Sequence, residues 1–184
     1  MRNNLLKIQK NKFDMFNKLN IKFLKTISMI ILVIISSRVS AQTIVSLNAY
    51  QSTLDPVEAE QFENLISGAN PTIYLVDGTL EVFGEGAPLV TISDASSYNM
   101  MYNENTLYNQ VQLVKLVITN PEETPSSIDL AQLQSFNSLT YFLITFEYNA
   151  CGGFSESCLA SIVESIIQGE GSPVVVLYNL SIPN

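Results

Sequence analysis

The 184-residue chain contains no histidine and no tryptophan, and only nine Lys or Arg stand against 17 Asp or Glu. Without histidine there is no Ser-His-Asp or Cys-His nucleophile system and no imidazole metal ligand. Bases are scarcer still beyond the N-terminus. Arg2, Lys7, Lys10, Lys12, Lys18, Lys22, Lys25 and Arg38 all precede residue 42, so Lys115 is the one base of residues 42–184. That stretch holds 16 of the acids and carries a net charge of −15. It has no Arg to stabilise an oxyanion or phosphate. Nucleic acid is excluded as a partner, because its binding requires Lys and Arg to displace counterions. A Ser-Lys pair would rest on Lys115, which has no nucleophile motif around it. There is no G-x-S-x-G, P-loop or dinucleotide fingerprint, so no cofactor is expected. Asp77, Glu81 and Glu85 match no calcium loop, so no metal is expected either.

What the N-terminus does have is a basic stretch followed by a short apolar run, Ile27 to Ile35, and then small residues ending Val39-Ser40-Ala41. This is the layout of a secretory signal, with cleavage expected after Ala41. The apolar run is shorter than the roughly 20 residues a spanning helix needs, so no stable membrane span is expected after processing. Met15 is an alternative start that gives the signal an ordinary length. No Cys stands at the cleavage point to carry a lipid anchor. The Ser40-Ala41-Gln42 junction resembles the signal ends of exported Bacteroidetes proteins. Residues 42–184 then form a single expected domain, secreted or periplasmic, with enough apolar residues for a real core.

Within that domain, Ile44–Ala49 alternates as an edge strand or an N-terminal cap. Asp55, Pro56 and Glu58 spell a capping box with Pro at the first helical position. A helix follows, with Val57, Phe62, Leu65 and Ile66 on its apolar face and a stop at Gly68. Thr72–Val76, the Asp77-Gly78 turn and Leu80–Phe83 read as a hairpin. Further strands are expected at 88–93, 112–119, 139–147 and 173–178. Residues 94–110 read as loop with one helical turn, and 128–136 as a short helix. Ser157 caps a clearer helix, with Leu159, Ile162, Val163, Ile166 and Ile167 at helical spacing. Strands alternating with short helices imply parallel pairing through crossovers.

A repeat runs through this pattern. Ile92, Ile118 and Ile144 are 26 residues apart, as are Val90, Leu116 and Phe142, and Ala87, Leu113 and Leu139. Leu107 and Leu133 repeat the spacing. The pieces Leu113-Val-Lys-Leu116-Val-Ile118 and Leu139-Thr-Tyr-Phe142-Leu-Ile144 resemble the L-x-x-L-x-L signature of leucine-rich repeats, and the resemblance covers about residues 87–180. It departs at the family's Asn ladder, which falls on Pro121 and Glu147. The resemblance implies an α/β solenoid of short parallel strands and short helices. The alternative is a compact α/β sandwich. In the repeat register the outward residues include Leu89, Thr91, Lys115, Val117, Thr119, Tyr141, Leu143, Thr145, Leu177 and Asn179. Their middle row, Thr91-Val117-Leu143-Leu177, is apolar enough to require either a partner or a cover, and the helix at 56–67 is a candidate cover.

Cys151 and Cys158 are expected to pair as a disulfide in an exported chain, with free or redox-active thiols as the other readings. Glu147 and the adjacent Glu122 and Glu123 are the acids to weigh for a carboxylate-only hydrolase. Together the sequence points to an exported, non-enzymatic binding module for a protein or surface glycan. Its expected binding residues are Lys115, Thr119, Tyr141, Leu143 and Thr145. A carboxylate-dependent hydrolase and a structural envelope protein without a ligand are the alternatives. The oligomeric state is not legible.

Overall fold

The computed structural model describes residues 42–152, 155–169 and 172–182. The expected signal peptide and its cleavage point lie outside the described residues. Among the described residues nine strands form: β1 Ile44–Ser46, β2 Thr72–Val76, β3 Thr79–Phe83, β4 Leu89–Ile92, β5 Leu113–Ile118, β6 Ile128–Asp129, β7 Tyr141–Phe146, β8 Ile167–Gln168 and β9 Val175–Leu180. The helices are α1 Leu47–Gln51, α2 Pro56–Ser67 and α3 Glu156–Ile166. Seven strands build one sheet in the order β1-β9-β7-β5-β4-β2-β3, and β6 pairs with β8 in a small second sheet. Every pairing in the large sheet is parallel except the β2–β3 hairpin. From β2 through β4, β5 and β7 to β9, the parallel strands lie side by side in sequence order.

The hairpin forms because Asp77 and Gly78 both take positive φ, 51° and 70°, as a two-residue turn matched to strand twist requires. Asp94 pins this turn by accepting from the Asp77 amide at 2.9 Å, while Ser97 Oγ accepts from the Gly78 amide at 3.0 Å. Helix α2 begins as its sequence demands. The Asp55 carboxylate accepts from the Val57 and Glu58 amides, each at 2.9 Å, and Glu58 accepts from the Asp55 amide. It stops at Gly68, where a Cβ would stand 2.2 Å from the Asn64 carbonyl oxygen.

Strand alternation divides the apolar residues between two layers. The inner row Ile73, Val90, Val114, Phe142 and Val176, and the next row Leu75, Ile92, Leu116, Ile144 and Tyr178, form the main core. The three connections from β4 to β9 pack on this face through Tyr98, Met101, Tyr108, Ile128, Leu133, Phe136, Leu159 and Val163. On the outer face Phe62 of α2 joins Leu89, Leu113, Leu143 and Leu177 in a second cluster, with Leu47 and Tyr50 of α1 packed beside it.

Several expectations change. The faces are as read, but the rows are not. Ile92 pairs with Leu116 and Leu116 with Ile144, unequal steps of 24 and 28 residues, while Ile118 pairs with Phe146. Both steps are even, so each residue keeps its face while its row neighbour changes. The middle outer row is therefore Thr91-Lys115-Leu143-Leu177. Residues 94–110 carry two 3₁₀ helices, Ala95–Tyr102 and Thr106–Gln110, rather than one turn. Residues 128–136 form β6 and a 3₁₀ turn at Leu130–Gln132, not a helix, because Ile128 pairs with Ile167. Val57 is 64% exposed and leaves the α2 face to Phe62, Leu65 and Ile66. Ser155, not Ser157, occupies the N-cap of α3. Leu133 is buried while Leu107, its expected equivalent, is 45% exposed.

Candidate functional site

The five expected binding residues do not converge on one open surface. Leu143 is 1% exposed, packed beneath α2. Tyr141 is half-buried in an aromatic triad, its ring 5.0 Å from Phe62 and 5.7 Å from Tyr50 between centroids. The Tyr50 hydroxyl donates to the Tyr141 hydroxyl at 3.2 Å. Burial, and then that bond, pushes the Tyr50 phenol up to about 12. Both residues belong to the contact between the helices and the sheet. Thr119 donates from its amide and hydroxyl to Glu123 Oε2 at 3.0 and 2.7 Å, closing the turn after β5. Thr145 is buried, and its Oγ1 lacks a hydrogen-bond partner, as does Oδ1 of Asn179, its neighbour across β9. Lys115 is half-buried mid-strand, between Thr91 and Leu143.

Of the acids weighed for hydrolysis, Glu123 takes a structural role in the turn after β5, as does Asp94, which the sequence did not single out, at the β2–β3 turn. Hydrogen bonds from the Thr119 hydroxyl and amide hold the Glu123 carboxyl below its ordinary value. Burial raises the Asp94 carboxyl, but hydrogen bonds from Ser96, Ser97 and the Asp77 amide outweigh it and leave the group low. Among the described residues no three Cys, Asp or Glu gather closely enough to hold a metal ion.

Cys151 and Cys158 are disulfide-bonded across the start of α3, with Cα atoms 6.2 Å apart. Such a bond belongs to an oxidising, extracytoplasmic setting. Among the described residues no helix is long and apolar enough to cross a membrane.

A larger open recess of the outer face lies elsewhere, on the β2–β3 hairpin. Helices α1 and α2 cover the β9 and β7 side and the starts of β4 and β5. Beyond them, a groove of about 500 Å³ is lined by Asn70, Thr72, Tyr74, Asp77, Glu81 and Phe83. Cross-strand pairing sets Thr72 opposite Phe83 and Tyr74 opposite Glu81. The Tyr74 and Phe83 rings meet edge to face, 5.4 Å between centroids at 86°. They remain 37% and 58% exposed. Glu81, Tyr74, Thr91 and Lys115 follow one another across adjacent strands, placing the domain's one base in the same row as a groove carboxylate. Two rings, flanking hydroxyls and the Asp77 and Glu81 carboxylates can hold a ligand with apolar and polar faces. Sequence reasoning missed this site because its repeat begins only at residue 87. The alternation Leu80-Glu-Val-Phe83 and Tyr74 in the paired strand were the available signals.

Comparison with protein-family models, curated proteins and solved structures gives no match.

Proposed function

We propose that this chain is an exported, non-enzymatic binding module of secreted or periplasmic location, built as a leucine-rich-repeat-like solenoid. It holds a protein or surface glycan at the groove on its β2–β3 hairpin. The observation that carries the reading is the pair Tyr74 and Phe83, packed on each other yet exposed over a recess that α2 leaves open. Aromatic side chains of this size normally bury their surface, and an exposed cluster of them marks an interaction site.

The solenoid part of the proposal rests on the sequential parallel strands and on stacking between successive turns. Tyr108 stacks on Phe136 with centroids 4.5 Å apart, and Asn137 donates to the Asn109 side chain at 2.9 Å. The unequal steps and the helical cover over half the outer face are its departures from a regular repeat.

The test is an array of glycans and extended peptides probed with the purified protein and with a Tyr74→Ala, Phe83→Ala variant. Ligands retained by the protein and lost by the folded variant support the reading. A protein that retains nothing, or a variant that retains the same ligands, refutes it.

A further inference from the structure

The hairpin that forms the groove is also a free edge of the large sheet. Among the described residues no strand pairs on the far side of β3. Its turn holds two residues, so the closing pair Val76 and Thr79 exchanges both hydrogen bonds, as do the alternate pairs Tyr74–Glu81 and Thr72–Phe83. The backbone N–H and C=O groups of Leu80 and Val82 therefore point away from β2, unpaired. Such an edge is a template for one more strand. Four of the six exposed large apolar residues among the described ones gather around it. Tyr74 and Phe83 lie on one face, and Val82 (43% exposed) and Leu107 lie on the other, beside a notch of about 290 Å³.

Charge selects the occupant. Asp77, Glu81 and Glu85 are spaced along this hairpin and the residues that follow it, and residues 42–184 hold one base against 16 acids. A second copy brings the same charge. Pairing β3 antiparallel with itself about its central residue would set Glu81 against Glu81, and like charges directly opposite are destabilising. A strand with basic residues on the Glu81 face and apolar residues on the Val82 face satisfies both sides.

We infer that β3 accepts an extended peptide segment of alternating basic and apolar residues, added as an eighth strand of the sheet. The inference rests on the groove reading above and names its partner class. Main-chain hydrogen bonds to Leu80 and Val82 supply affinity, and the side chains beside Glu81, Phe83 and Val82 supply choice.

The probe is the acetylated, amidated hexapeptide Val-Lys-Val-Lys-Val-Lys, titrated calorimetrically into the purified protein. Its controls are the same peptide N-methylated on the amides that would face β3, and a Val-Glu repeat of equal length. The Lys peptide binds, Glu81→Lys weakens it about tenfold or more, and both control peptides fail. In the unaltered protein, amide exchange at Leu80 and Val82 slows when the Lys peptide is present, a readout that needs no variant. Equal binding of the N-methylated peptide would show mere attraction to an acidic surface and overturn the inference. Absence of binding, unchanged exchange at those two amides, or dimerisation through β3 overturns it as well. If the array finds ligands that require Tyr74 and Phe83 while the Lys peptide does not bind, the groove reading stands and the strand-addition inference alone falls.

Discussion

Phe136 lies flat against Tyr108, 28 residues earlier in the chain, with ring planes only 13° apart. The same 28-residue offset joins Asn137 to Asn109 and aligns Leu116 with Ile144. One turn of chain is thus keyed to the next by an aromatic stack, an amide contact and a strand register at once.

Removing that stack should cost more than ordinary burial. Both rings are almost fully buried in the main core. Phe136→Ala is expected to destabilise the domain by about 3–5 kcal/mol, through lost transfer energy and the cavity left behind. Chemical denaturation with a lowered midpoint and unchanged slope is the expected observation.

The disulfide closes a short loop, with its cysteines seven positions apart. Replacing Cys151 and Cys158 by Ser should lower stability by about 2–3 kcal/mol, the loop-closure entropy returned to the unfolded chain. A reducing agent should bring the native protein to the same midpoint as the double variant. Agreement between those two midpoints is the check.

Stability should fall at both ends of the pH range. The Asp94 carboxyl is held low in the folded state, so its contribution is full above its ordinary value of 3.8 and is lost as pH falls through the lower folded value. Asp94→Asn should flatten the acid limb of Tm against pH. The Tyr50 phenol is raised from 10.0 to about 12, so its contribution is full below 10.0 and is lost as pH rises towards 12. Tyr50→Phe should soften the alkaline limb without abolishing it, since burial also raises the phenol of Tyr98.

Losing the N-cap of α2 should loosen the outer layer without disturbing the core. Asp55→Ala removes acceptors from two helix amides and is expected to cost about 1 kcal/mol. Amide exchange should accelerate across Pro56–Ser67 and stay unchanged in β5 and β7.

Much of this fold was legible because period-two alternation and turn chemistry act locally. The Asp77-Gly78 hairpin, the capping box at Asp55, the cysteine pair and the inner and outer faces of β4, β5 and β7 all follow from neighbouring residues. The row register was not legible. An even average spacing of 26 preserves faces, and only the contacts of Leu116 with Ile92 and Ile144 reveal steps of 24 and 28. The 3₁₀ turns carry no 3.6-residue apolar period, so residues 94–110 and 128–136 gave little local signal. The site was misjudged for a topological reason. Leu143 and Tyr141 read as outward residues and are so, but Phe62, 79 residues before Tyr141, covers them. Tyr74 and Phe83 read as ordinary strand residues, and only the sheet order shows that they border an open edge.

The most direct measurement compares two variants on the ligands that the array retains: Tyr74→Ala with Phe83→Ala on the open hairpin, and Tyr141→Ala beneath α1 and α2. If the groove is the binding site, the hairpin variant loses the ligand with little change in Tm, while Tyr141→Ala lowers Tm and keeps the affinity. Lost affinity in Tyr141→Ala, with binding intact in the hairpin variant, would contradict it and return the site to the covered half of the sheet.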